Sequence, residues 1–175
     1  MRFEEAFLIL LEQDRQGRYV YAKRDLVKLF DEASENTFNQ CLRRLVTRGV
    51  LIHAARDVYV FAQSANIGGT TIEQIAATLR RGEYTYESLE SALSQWGSIS
   101  QIPIDRITFM TTGRRGEFVT PYGIIEFTHT NRQPVEIIAN TVSRPGHCLP
   151  IATEVFALQN IKDVGRNLSI IVRNG

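Results

Sequence analysis

An α+β fold in two parts is what this sequence predicts. Three observations carry the expectation. The first sixty or so residues set three stretches of helical apolar period ahead of two short β-prone runs. A small, polar, glycine-containing stretch, AQSANIGGTT, follows. Beyond it the apolar period starts helical and then becomes alternating. A length of 175 residues suits one large domain or two small ones. The expected division is a first domain over 1–62, a linker over 63–71 and a mixed α+β domain over 72–175.

Composition narrows the class. The chain is 43% apolar and 22% charged, as ordinary globular proteins are. No apolar run approaches the roughly 20 residues that span a bilayer; FLILL at 7–11 is among the longest. Arg2 is followed by Glu4 and Glu5, with no small-residue cleavage site after them, so no secretory signal is read. Cys41 and Cys148 stand in unrelated surroundings without ligand spacing, which predicts neither a disulfide nor a metal site. The expectation is a cytoplasmic protein with no membrane, metal or cofactor.

Residues 3–14, FEEAFLILLEQD, place Phe3, Phe7, Leu8 and Leu11 at helical spacing, with Glu4, Glu5 and Glu12 outside and Gly17 as the stop. Residues 19–21 are short and β-prone. Leu26, Leu29 and Phe30 mark a second helix over 22–30. After the polar break at 31–34 a third helix starts near Ser34 or Asn36 and runs to about Arg48, with Gly49 ending it. Phe38, Cys41, Leu42 and Leu45 form its core side. Asn36, Gln40, Arg43 and Thr47 lie opposite, bordered by Arg44. The runs 50–52 and 58–61 flank a polar tip and read as a hairpin. Helix, helix, helix, hairpin is the order of a winged helix-turn-helix module.

Charge gives that module a function. Residues 36–56 hold Arg43, Arg44, Arg48 and Arg56 and no acid, in a chain whose net charge is only +1. The DNA major groove admits one α-helix, and base edges there present distinct donor and acceptor patterns. Arg pairs bidentately with guanine and Asn or Gln with adenine, so Asn36, Gln40 and Arg43 suit base contacts. Arg44 and Arg48 suit phosphates, and Arg56 at the hairpin tip suits an adjacent groove or the backbone. Thr37 and Thr47 complete the expected DNA-binding set.

In the second part, 72–80 reads as a helix with Ile72, Ile75, Ala76 and Leu79 inward. Residues 85–96 read as another, with Leu89, Ala92, Leu93 and Trp96 inward. Residues 106–112 alternate as a strand does. Gly113-Arg114-Arg115-Gly116 is a turn, and 117–130 holds a strand or pair broken at Pro121-Tyr122-Gly123. Residues 135–139 read as a further strand and roughly 152–163 as a last helix. Arg114 and Arg115 project either as a solvated hairpin tip or as a contact for phosphate or an acidic partner surface. Glu126 and His129 would point to opposite faces of one strand, which defeats a simple dyad. His147 sits beside Cys148 without a recognisable catalytic frame. No nucleophile elbow, phosphate-binding glycine loop or spaced ligand set is present, so no enzyme is expected.

The chain resembles the AbiEi antitoxins, the repressor half of AbiE-type (type IV) bacterial toxin–antitoxin systems. In the first part the resemblance rests on FNQCLRRLVTRGVLI and RDVYVF. In the second it rests on YESLESALSQWGSISQIPIDRITFMTTGRRGEFVTPYGIIEFTHT and ALQNIKDVGRN. Asp57 departs from the pattern, which has Gly at the hairpin tip. The resemblance implies autoregulation, with the winged helix binding inverted repeats in its own promoter, and a role in abortive infection of phage. It implies a C-terminal domain needed for antitoxicity and for cooperative or dimeric binding on DNA. The partner it implies is a nucleotidyltransferase-like toxin, neutralised without a stable complex being required. Two other readings stand beside it: a winged-helix interaction module that contacts the toxin directly without specific DNA binding, and a nuclease.

Overall fold

In the computed structural model, residues 1–99 and 105–166 are described. They form a mixed α+β protein with seven helices and two sheets among the described residues. The chain divides into two compact units, Met1–Leu79 and Arg80–Gly175.

In the first unit, α1 (Phe3–Arg15) carries Glu4 and Glu5 in its first turn and Arg15 in its last, matching the helix dipole at both ends. Ala6 and Leu10 are buried, whereas Leu8, expected on the apolar stripe, is exposed. β1 (Val20–Ala22) leads directly into α2 (Lys23–Phe30), which buries Leu26 and Phe30. α3 (Glu35–Thr47) is capped by Ser34, whose Oγ accepts the Thr37 N–H at 3.2 Å. Gly49, at φ +69°, turns the chain into β2 (Leu51–Ala55) and β3 (Val58–Phe61). The three strands form an antiparallel sheet in the order β1-β3-β2.

The sequence-based boundary at 63–71 is corrected by the packing. α4 (Thr71–Leu79) lies against β1 and β3 and belongs to the first unit. The segment leading to it is tied down as well. The carboxylate of Asp14, buried in α1, accepts from the Ser64 hydroxyl, the Ala65 N–H at 3.2 Å and the Asn66 amide at 2.9 Å. Tyr19 and Thr71 share a buried hydroxyl–hydroxyl hydrogen bond of 3.0 Å. The Ser, Asn and Thr that read as a solvated linker satisfy buried groups instead.

The second unit is built on a six-stranded mixed sheet, ordered β6-β7-β5-β4-β9-β8. The strands are β4 (Thr85–Glu87), β5 (Arg106–Thr111), β6 (Gly116–Thr120), β7 (Gly123–His129), β8 (Thr141–Val142) and β9 (Ile151–Ala152). β5 and β7 run parallel, as do β4 and β9; the other neighbours are antiparallel. Three helices complete it: α5 (Leu89–Gln95), α6 (Pro134–Ala139) and α7 (Glu154–Asp163). α5 and α7 pack together over Tyr86, Leu89, Leu93, Met110, Ile151, Phe156 and Ile161. Each such side chain contributes about 1.5–3 kcal/mol through burial.

Four expectations change here. The stretch 85–96 begins as a strand, because Thr85, Tyr86 and Glu87 are all buried in the sheet, and only then becomes helical. Residues 135–139 are helical, not extended: Pro134 at the first turn presets the helical φ, and only Ile137 is buried. Trp96 is half exposed, its indole N–H donating to the Ala152 carbonyl at 2.9 Å. The GRRG segment is not a hairpin tip, since β5 and β6 are not neighbours. It crosses over the end of β7, the strand that lies between them.

Candidate nucleic-acid interface

α3 sorts its side chains as a helix of about 100° per residue requires. Phe38, Cys41, Leu42 and Leu45 are buried. Asn36, Gln40, Arg43 and Thr47 share the opposite face, and Thr37, Arg44 and Arg48 form a second row beside it; all seven are exposed. Gln40, Arg43, Arg44, Thr47 and Arg48 together line an open depression of about 420 Å³. Asn36 and Thr37 lie outside it, nearer the N-terminus of α3. The Thr37 hydroxyl is 2.8 Å from that of Ser34 and so takes part in the helix cap.

The two rows differ in how they are held. Arg44 donates to the Met1 carbonyl at 3.4 Å. The Arg48 guanidinium stacks 4.7 Å from the centroid of Phe3. Both arginines are thereby steadied against residues 1–3, Arg44 by Met1 and Arg48 by Phe3. Among the described residues, no carboxylate pairs with Arg43, Arg44, Arg48 or Arg56. Glu35, in the first turn of α3, is the acid nearest this face along the helix. Burial pushes the Cys41 thiol upward despite Arg44 nearby, so Cys41 is a core thiol.

Arg56 is exposed in the turn between β2 and β3. Asp57 beside it has φ +57°. That is the conformation a glycine would take there, and a short polar Asp tolerates it better than most residues. The Lys23 N–H donates to the Asp57 carbonyl at 2.8 Å, fixing the turn to the start of α2. His53 stacks on Tyr59 at 4.8 Å. Chemically, the α3 face offers a fork and an amide for base edges, with further guanidiniums for phosphate oxygens.

In the second unit Arg114 and Arg115 are exposed. Glu126 is engaged by Arg106, at 2.9 Å, and by Arg166. His129 lies between the Gly113 carbonyl at 2.7 Å and the Asn131 side-chain oxygen at 2.8 Å. These two acceptors raise its pKa, the Gly113 carbonyl most strongly. The structure therefore does not bring Glu126 and His129 together. Among the described residues no group of three His, Cys, Asp or Glu could hold a metal, and no helix is long and apolar enough to cross a membrane.

Sequence reasoning missed a buried polar cluster in this unit. Glu87 pairs with Arg144 at 2.6 Å and accepts from the Ser91 hydroxyl at 2.9 Å. Ser88 donates to the Asn160 side-chain oxygen at 2.7 Å. Thr108 donates to the Ser88 carbonyl at 2.6 Å. Between the two serines, buried Leu89 adopts φ +59°. The available signal was SLES, three polar residues around one apolar residue where a helix core was expected.

No family model matches this chain, and no curated protein matches it. Among solved structures it is similar to the crystal structure of the RV2827C protein from Mycobacterium tuberculosis. The TM-score is 0.62 with 14% identity, over 91% of this chain and 61% of the other. The likeness is one of fold. This chain spans about three fifths of the length of that structure.

Proposed function

We propose that this chain is a sequence-specific DNA-binding repressor whose first unit is a winged helix-turn-helix, and that it serves as the antitoxin of an AbiE-type system. One observation carries the DNA-binding reading: the exposed face of α3, where Gln40, Arg43, Arg44, Thr47 and Arg48 line one depression and no carboxylate among the described residues pairs with its arginines. The element order supports the winged-helix reading, with α3 as reading helix and the β2–β3 hairpin as wing. Arg43 and Gln40 read base edges, Arg44 and Arg48 hold phosphates from positions braced on Met1 and Phe3, and Arg56 contacts the backbone beside the wing. The antitoxin assignment rests on the resemblance of the YESLESALSQWG and GRRGEFVTPYGIIEF stretches to AbiEi proteins. The ligand is then double-stranded operator DNA with inverted repeats in the chain's own promoter. The cognate toxin is nucleotidyltransferase-like, and the second unit is needed to neutralise it.

A mobility-shift titration on the upstream promoter fragment tests the DNA-binding reading. Arg43→Ala should weaken binding by about 1–3 kcal/mol and relax discrimination among operator variants. Unchanged affinity and unchanged sequence preference in Arg43→Ala and Gln40→Ala would remove α3 as the reading helix. Rescue of growth by co-expressed antitoxin, and its loss on deleting the second unit, tests the antitoxin assignment.

A further inference from the structure

Cations also gather on a fixed backbone in the second unit, at the crossover 112–115. Arg80 donates from Nε to the Arg114 carbonyl at 2.8 Å, and its guanidinium lies over Phe127 at 4.2 Å and Phe118 at 5.3 Å. From the other side, His129 holds the Gly113 carbonyl at 2.7 Å. The Gly113 N–H donates to the Thr111 hydroxyl at 3.1 Å. The Thr112 hydroxyl accepts the Tyr84 N–H at 3.0 Å and donates to the Glu83 carboxylate at 2.7 Å. A Cβ at Gly113 would lie 2.9 Å from Glu83 Cγ and 3.1 Å from Arg80 Cδ, so a side chain there requires those two side chains to shift.

This exposed crossover is therefore anchored from both flanks, while the side chains of Arg114 and Arg115 face solvent. Among the described residues no carboxylate pairs with either arginine, and no acceptor takes the backbone N–H of either. Burial first, and then the charge of Arg114, make the Arg80 cation harder to hold, with the Glu83 carboxylate offsetting part of this, so the two guanidiniums are close enough to repel. Of the nearby acids, Glu83 accepts from the Thr112 hydroxyl and favours the Arg80 cation, and Glu117 pairs with Arg106 at 2.7 Å. A loop of this kind needs little ordering on binding, and a bound anion would relieve the repulsion between Arg80 and Arg114 that Glu83 offsets only in part.

We propose that the crossover 112–115 is a binding site for a phosphoryl oxyanion, with Arg114 and Arg115 as its contacts. Guanidinium forks match phosphate oxygens bidentately, and adjacent backbone N–H groups add to the same oxyanion. A phosphoryl group also presents more charge and more acceptor oxygens than a single carboxylate, which suits two neighbouring arginines. The proposal is independent of α3, because every group it uses lies in the second unit.

The test uses the full chain at about 50 mM salt, where phosphate contacts are strongest. Three probes are titrated by calorimetry: sodium tripolyphosphate, a DNA duplex without inverted repeats, and a polyglutamate peptide. Tripolyphosphate and the duplex are titrated in an Arg43→Ala, Arg44→Ala, Arg48→Ala, Arg56→Ala background, so that the phosphate contacts proposed for the first unit do not supply the binding. Binding of tripolyphosphate assigns a free phosphoanion, and binding of the duplex alone assigns a nucleic-acid backbone; either supports the site. In both cases adding Arg114→Gln with Arg115→Gln to that background should weaken binding at least about tenfold. Amide shifts at Arg114 and Arg115 in the unsubstituted protein give a readout that needs no variant. Binding of neither phosphate probe, binding of polyglutamate alone, or equal affinity in the double variant would overturn the proposal.

Discussion

Asp57 sits at φ +57° in the β2–β3 turn, a conformation that favours glycine. A β-carbon in that region costs about 1–2 kcal/mol for most residues, and less for Asp, whose side chain bonds locally. Asp57→Ala should therefore destabilise the protein by about 1 kcal/mol, while Asp57→Gly should stay within about 0.5 kcal/mol of the parent, both read from urea unfolding. Asp14 is a second residue whose environment decides its behaviour. Burial alone would raise its pKa, but hydrogen bonds from Ser64, Asn66 and Ala65 outweigh burial and lower it. A carboxyl depressed on folding contributes stability that is present above its unfolded pKa, about 3.9, and is lost as pH falls through the folded value. Asp14→Asn should cost about 1–3 kcal/mol at neutral pH, and the two proteins should converge below roughly pH 4 in a pH series of thermal melts. His129 runs the other way. Its raised pKa adds stability below the unfolded value, lost as pH rises through the folded one.

At the scale of elements, the sequence is most legible where apolar period and stop signals agree. α3 follows from Phe38, Cys41, Leu42 and Leu45 on one side, Ser34 before them and Gly49 after. The same period places Gln40, Arg43 and Thr47 together, so much of the candidate interface was readable from spacing. Illegibility begins where tertiary contacts override local pattern. Tyr86 lies three residues before Leu89 and so fits the apolar period of α5, yet the sheet takes Thr85–Glu87 as a central strand. VEIIA has the composition of a strand, but Pro134 and a single buried Ile137 make it a helix. The segment 63–71 has linker composition because its polar groups serve the buried Asp14 and Tyr19, which no local pattern reveals. Limited proteolysis should spare 63–71 and favour the exposed stretch 81–84 after α4. Early cleavage between Gln63 and Thr71 would contradict the docking of α4.

At the scale of the whole molecule, the distribution of charge matters more than its sum. A net charge of +1 gives little general attraction to DNA, so any electrostatic contribution must come from the local, acid-free arginine set. Phosphate-contacting residues release counterions and base-reading residues do not, which separates the two rows of α3 in a single experiment. Operator affinity measured across a salt series should fall linearly in logarithmic form, and each of Arg44→Ala, Arg48→Ala and Arg56→Ala should reduce the slope by about 1. Arg43→Ala and Gln40→Ala should leave that slope nearly intact while lowering affinity for the operator relative to unrelated duplex. Arg48 is held by the ring of Phe3, so Phe3→Leu should act on DNA binding in the same direction as Arg48→Ala but more weakly, with the slope retained because the charge remains. A slope indifferent to Arg44, Arg48 and Arg56, beside preserved sequence preference, would mean that phosphates are held by some other surface and that the second row of α3 only braces the helix.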